Sequence, residues 1–122
     1  MASETKRTCT QCGPFAPKAE TVSILGFQAE HPLWSIKNED GADKIRRRFL
    51  FPTYAEAVKF TGDIAALAAS EDHHPAILLE LDAVTVTWWT HSLGGLHNND
   101  LILAQYTDKL FTSAMKRAGH PV

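Results

Sequence analysis

The stretch Glu71–Leu96, EDHHPAILLELDAVTVTWWTHSLGGL, decides how this chain folds. Ile77, Leu79 and Leu81 alternate in it, and after a turn near Asp82 so do Val84, Val86 and Trp88, the period of a strand with one buried face. Thr85, Thr87 and Trp89 take the opposite face and are all β-formers. The connecting turn is short, so the two runs make an antiparallel hairpin, and the start of the first, Pro75, lies beside the end of the second, Thr90. His73 and His74 precede the first strand and His91 follows the second. Three of the chain's six histidines therefore meet at one edge of the sheet.

Upstream, Thr53 followed by Glu56 matches a capping box, opening a helix with Ala57, Phe60, Ile64, Leu67 and Ala68 at helical spacing. It ends near Ser70, and Pro75 forbids its continuation. Before it, KIRRRFLF places Ile45, Arg47, Phe49 and Phe51 on one face, so Arg47 must be paired or close to an edge. LWSIK (Leu33–Lys37) precedes it across the turn NEDGAD, a second hairpin. A first helix over PKAETVSILGFQAE aligns Val22, Leu25 and Ala29 on one side. Downstream, Gly94 and Gly95 mark a loop and Asn98 or Asn99 serves as cap. LILAQYTDKLFTSAMKRA then aligns Leu103, Tyr106, Leu110 and Ala114 on a last helix, stopped by Gly119 and Pro121. The expected order is α-β-β-α-β-β-α: an α+β fold with a four-stranded antiparallel sheet and helices packed on one face. Residues 1–16 read as a mobile tail and 17–122 as one domain.

A chain of 122 residues with 44% apolar and 21% charged side chains can bury one real core. Twelve basic against fourteen acidic side chains give a net charge of −2, a poor match to direct nucleic-acid binding. Alternation splits the basic cluster Lys44, Arg46, Arg47 and Arg48 between two faces. No run approaches a membrane span, and the polar start lacks the apolar stretch of a secretory signal, so a soluble, cytoplasmic protein is expected. Cys9 and Cys12 form an isolated C-x-x-C with neither a second ligand pair nor a strand-to-helix setting, and read as reduced thiols.

Three imidazoles at one sheet edge have three readings: metal ligands, ordinary polar strand ends, or acid–base groups for a reaction near neutral pH. Adjacent histidines point to opposite faces of a regular strand, a restriction that lapses at a helix-to-strand corner. Asp72 and Asp100 are candidate orienters of the rings; each is also an ordinary residue for its place, Asp72 in a helix-end turn and Asp100 in a helix first turn. Gly94 and Gly95 either let amides approach a flat ligand or shape a turn.

EDHHPAI, then THSLGGL with His91 seventeen positions after His74, then Asp100 nine further on, resemble the signature of the pterin-4a-carbinolamine dehydratases. The similarity runs from about Trp34, through RRFLF and TYAEAVKFTGDIAALA, to Asp108. It implies a four-stranded antiparallel α+β fold and the dehydration of 4a-hydroxytetrahydrobiopterin to quinonoid dihydrobiopterin, in tetrahydrobiopterin recycling, without metal or cofactor. It carries over His73, His74, Pro75, Thr90, His91, Ser92 and Leu93 as site residues, with Asp100 in support and Asp72 as a further contact. His73 and His91 are assigned to proton transfer and His74 mainly to binding the pterin. Three positions depart from the pattern: Ala69 stands where a glutamate is usual, Ala76 where an acidic residue follows HHP, and His97 where Thr or Ser follows GGL. Asp72 or Glu71 is expected to substitute for the missing glutamate. The resemblance also implies a homodimer or homotetramer, and leaves open a transcription-factor partner, with a nuclear location beside the cytoplasmic one. The two-sided pattern of Val84 to Trp89 points to assembly as well, since one layer of helices leaves Trp89 uncovered.

Overall fold

The computed structural model describes residues 18–119; the expected tail with Cys9 and Cys12, and Pro121, lie outside the described residues. The elements follow the expected order: α1 (Thr21–Glu30), β1 (Ser35–Glu39), β2 (Ala42–Leu50), α2 (Tyr54–Glu71), β3 (Ala76–Glu80), β4 (Ala83–Trp88) and α3 (Asn98–Arg117). The strands form one antiparallel sheet in the order β1-β2-β4-β3, so the two hairpins join through β2 and β4.

Register follows the apolar pattern. Ile45 lies opposite Trp88 and Phe49 opposite Val84, while Ile77 and Leu79 lie opposite Val86 and Val84. These side chains form one core with Phe27 of α1, Phe60 and Ile64 of α2, and Leu103 and Ala104 of α3, on one side of the sheet. A slip of one residue would turn the whole set outward, so burial itself specifies the pairing. Thr53 accepts the Glu56 amide at the start of α2, as the capping pattern predicts.

Arg47 points to the apolar side and is paired, as it must be. Its guanidinium donates to Asp108 at 2.7 Å and lies 4.3 Å over the Phe49 ring. Trp34 Nε1 donates to the same carboxylate at 3.0 Å, so one acidic residue of α3 anchors the chain before β1 and the middle of β2. Lys44, Arg46 and Arg48 take the other face. Arg46 grips Glu39 with both terminal nitrogens, and that bond holds the Glu39 carboxyl below its usual range. Arg48 lies 3.8 Å from Glu80 and from Asp82. The basic cluster is thus dispersed into local pairs.

Four expectations are corrected. The side of α1 bearing Val22, Leu25 and Ala29 faces water, with Val22 72% exposed; the core takes Ile24 and Phe27, whose larger ring stacks on His31. β1 begins at Ser35, because Trp34 leaves the ladder to fill the core. Leu81 sits in the two-residue turn after β3 and is exposed, since a turn cannot continue the alternation. The N-cap of α3 is His97, not Asn98 or Asn99.

That cap explains one departure from the family pattern. The His97 ring accepts the Asn99 amide on Nδ1 at 3.0 Å, as a Ser or Thr hydroxyl would, and the His97 amide donates back to Asp100 Oδ2 at 2.9 Å. An imidazole lone pair thus replaces a hydroxyl oxygen in a reciprocal capping box. We expect His97→Ala to lose about 1 kcal/mol of stability to urea and His97→Ser to keep most of it; equal midpoints for the wild type and the alanine variant would contradict this role.

Candidate active site

The corner between α2 and β3 is made by Asp72, which adopts the left-handed conformation at φ 51° while its amide and that of His73 return to the carbonyls of the last helical turn. Aspartate tolerates this conformation better than most residues. The turn sends consecutive histidines in opposite directions. His73 enters the protein and is 7% exposed, while His74 stays on the rim with its side chain 68% exposed.

His73 Nε2 lies 2.7 Å from Asp100 Oδ1, and its ring sits 5.9 Å from that of Trp88. Trp88 is fixed from below by donating to Thr107 on α3 at 3.0 Å. The second oxygen of Asp100 accepts the Thr90 hydroxyl at 2.7 Å and the His97 amide at 2.9 Å. Asp100 is fully buried and shares its charge among three donors, one from the α2–β3 corner, one from the end of β4 and one from the start of α3. Because a carboxylate only accepts, His73 carries its proton on Nε2. Asp100 both caps the helix and hydrogen-bonds the His73 ring.

His91 is exposed and swings back across the end of β4. Its Nε2 lies 2.9 Å from the His74 carbonyl. The hairpin register thus brings the third histidine beside the first two, as the short turn predicts. Asp72, His73, His74, Thr90, His91 and Ser92 line one open depression of about 320 Å³. Pro75 and Leu93, the other expected contacts, lie half-buried beside these residues in the chain. Between Thr90 and Gly95 the amides of Leu93, Gly94 and Gly95 all return to the Thr90 carbonyl, and Gly94, at a φ of 63°, shapes the turn. Ala69 is exposed; of its expected substitutes, Glu71 is buried and Asp72 lies 3.9 Å from His74.

Each ring nitrogen described so far faces a different partner, and among the described residues no group of three His, Cys, Asp or Glu side chains is placed to hold a metal ion. What the arrangement offers is one buried carboxylate–imidazole pair at the floor and two imidazoles at the rim. Sequence reasoning missed one neighbour of these rings. Trp89, read there as an uncovered surface residue, stacks on His91 with ring centroids 4.3 Å apart. The available signal was nearness in sequence, since residues 89 and 91 lie two apart just after β4.

A family model described as Pterin 4 alpha carbinolamine dehydratase matches residues 17–110. A Syntrophotalea carbinolica protein bearing the name of this dehydratase is 45% identical over 90% of this chain and 98% of its own length, and one from Marinobacter nauticus is 40% identical over 91% and 100%. Among solved structures, a Brucella melitensis protein described as a transcriptional coactivator/pterin dehydratase superposes with a TM-score of 0.68 at 26% identity, covering 77% of this chain and 98% of its own. A second, described as a pterin dehydratase-like protein identified as a RuBisCO assembly factor in the alpha-carboxysome, gives 0.55 at 24% identity over 64% and 88%, a likeness of fold alone. With the match spanning the sheet, the histidine corner and most of α3, the chain belongs to the pterin-4-alpha-carbinolamine dehydratase family.

Proposed function

We propose that this protein dehydrates a 4a-hydroxytetrahydropterin to the quinonoid dihydropterin, and that 4a-hydroxytetrahydrobiopterin in cytoplasmic recycling is its substrate. The observation that carries the reading is the buried His73–Asp100 pair at 2.7 Å, opening into the same depression as His74 and His91. The reaction breaks the C4a–O bond as the N5 lone pair forms the C4a=N5 double bond. The departing hydroxide takes a proton and becomes water, and N5–H gives one up. One acid and one base suffice, and an unperturbed imidazole titrates at about 6.5, in the range where it can serve as either. His73 and His91 are assigned to the two proton transfers on opposite sides of the ring system. His74, exposed beside Ser92, is assigned to holding the pterin with Asp72, Thr90 and the neighbouring Pro75 and Leu93. Asp100 supports the set by fixing the His73 ring.

A synthetic 4a-carbinolamine tests this directly. His73→Ala and His91→Ala are each expected to lower turnover about tenfold or more, with the double variant falling far further, because the two groups partly cover for each other within the 10²–10⁴-fold typical of acid–base catalysis. His73→Asn, which retains a donor towards Asp100, separates loss of chemistry from loss of packing. Single and double variants of equal activity would contradict the division of labour, and full turnover by both would remove the histidines from the chemistry.

A second reading is favoured by the likeness to the Brucella melitensis coactivator/pterin dehydratase: the chain acts as a dimerisation cofactor for a transcription factor or as a pterin-binding module. In that case partner binding tracks the sheet surface and α3 and survives histidine substitution. Self-assembly is common to both readings. The sheet face away from the helices carries Leu50 of β2 and Leu78 of the edge strand β3, both more than half exposed. Pairing of such a surface between copies hides apolar area and an open edge together. Sedimentation at micromolar concentration is expected to give a dimer or tetramer, and a 13.5 kDa monomer alone would contradict it.

A further inference from the structure

His91 sits at the rim of the site, outside the regular elements. It is exposed, lies beyond the last residue of β4, and makes one ring hydrogen bond, from Nε2 to the His74 carbonyl at 2.9 Å. A carbonyl only accepts, so this bond requires a proton on Nε2 whether the ring is neutral or charged. The nitrogen left to gain and lose a proton is Nδ1. One hydrogen bond does not set the direction of that atom, because the ring can still pivot about the Nε2···O line. The second restraint is the indole of Trp89, stacked at 4.3 Å and tilted by 34°.

Trp89 is in turn fixed. Lys44 Nζ lies 4.1 Å over its ring, and the Lys44 ammonium is 3.7 Å from Glu39. The pairing of Ile45 with Trp88 puts Lys44 and Trp89 next in register, so the contact follows from the strand alignment. A π face attracts a cation and also accepts a neutral ring, which lets the stack persist whichever form His91 takes.

We propose that Trp89, held by Lys44, is a positioning residue for His91: the stack and the His74 carbonyl together fix the ring so that Nδ1 is the atom exchanging protons with substrate. This inference rests on the dehydratase reading for its kinetic part and on geometry alone for its tautomer part.

The two parts are measured separately. Imidazole nitrogen NMR of the substrate-free protein is expected to show His91 in the Nε2–H tautomer in the wild type and in Trp89→Phe, and a mixture of tautomers in Trp89→Leu, where loss of the stack frees the ring to leave the His74 carbonyl. In turnover, Trp89→Leu is expected to lower kcat about tenfold with a smaller change in KM, Trp89→Phe to retain most of kcat, and Lys44→Met, which leaves the indole in place, to fall between. Trp89→Leu placed in the His91→Ala background should cost nothing further. A wild-type His91 protonated on Nδ1, or an equal loss from Trp89→Leu in both backgrounds, would overturn the proposal. If the wild type showed no turnover at all, the dehydratase reading would fail while the tautomer result still decided whether Trp89 positions the ring.

Discussion

Asp100 is a carboxylate without access to water, and three donors converge on it: His73 Nε2, the Thr90 hydroxyl and the His97 amide. Burying such a charge is tolerable only when its oxygens are hydrogen-bonded, and removing one partner of a buried pair typically costs about 3–5 kcal/mol. Each donor belongs to a different junction of the chain. The bonds that satisfy the charge therefore also fix where α2 gives way to β3, where β4 ends and where α3 starts. The histidine corner is a by-product of meeting that requirement, since one imidazole must enter the protein to reach Asp100 while its neighbour is left at the rim.

A second acidic residue of α3 does comparable work away from the site. Asp108 takes Arg47 and Trp34, which lets a cation sit on the apolar side of β2. Spaced eight positions apart on one helix, the two carboxylates tie it to the two hairpins, Asp100 to the ends of β3 and β4 and Asp108 to β1 and β2. The site is thereby mounted between regular elements, on two turns: the corner at Asp72 and the segment from His91 to Gly95. At the second of these the indole of Trp89 supplies the missing restraint.

Much of this is legible in the residues. Period-two alternation from Ile77 to Trp88 yields the hairpin, and the hairpin places His91 beside His73 and His74 before any side chain is seen. The capping pattern at Thr53 and the need to pair Arg47 are equally local. What escapes is what depends on distant partners. The exposed side of α1 carries three apolar residues against two on the buried one, so periodicity alone does not choose between Leu25 and Phe27. The cap of α3 escapes because an imidazole accepts a backbone amide only in one protonation form and orientation. The site is legible in its membership, through position and family pattern, and less so in its directions: which histidine turns inward depends on a left-handed Asp72 that nothing in the local sequence demands.

If a flat pterin occupies the depression at the strand ends, above the His73–Asp100 pair, titrating a stable dihydropterin into the protein should move the backbone and histidine chemical shifts there. Saturable shifts are expected at Asp72, His74, His91 and Ser92, with a smaller response at His73 and none around Arg46 and Leu78 on the open sheet face. Shifts confined to that face, or no shift at the histidines at millimolar ligand, would contradict binding at the histidine corner.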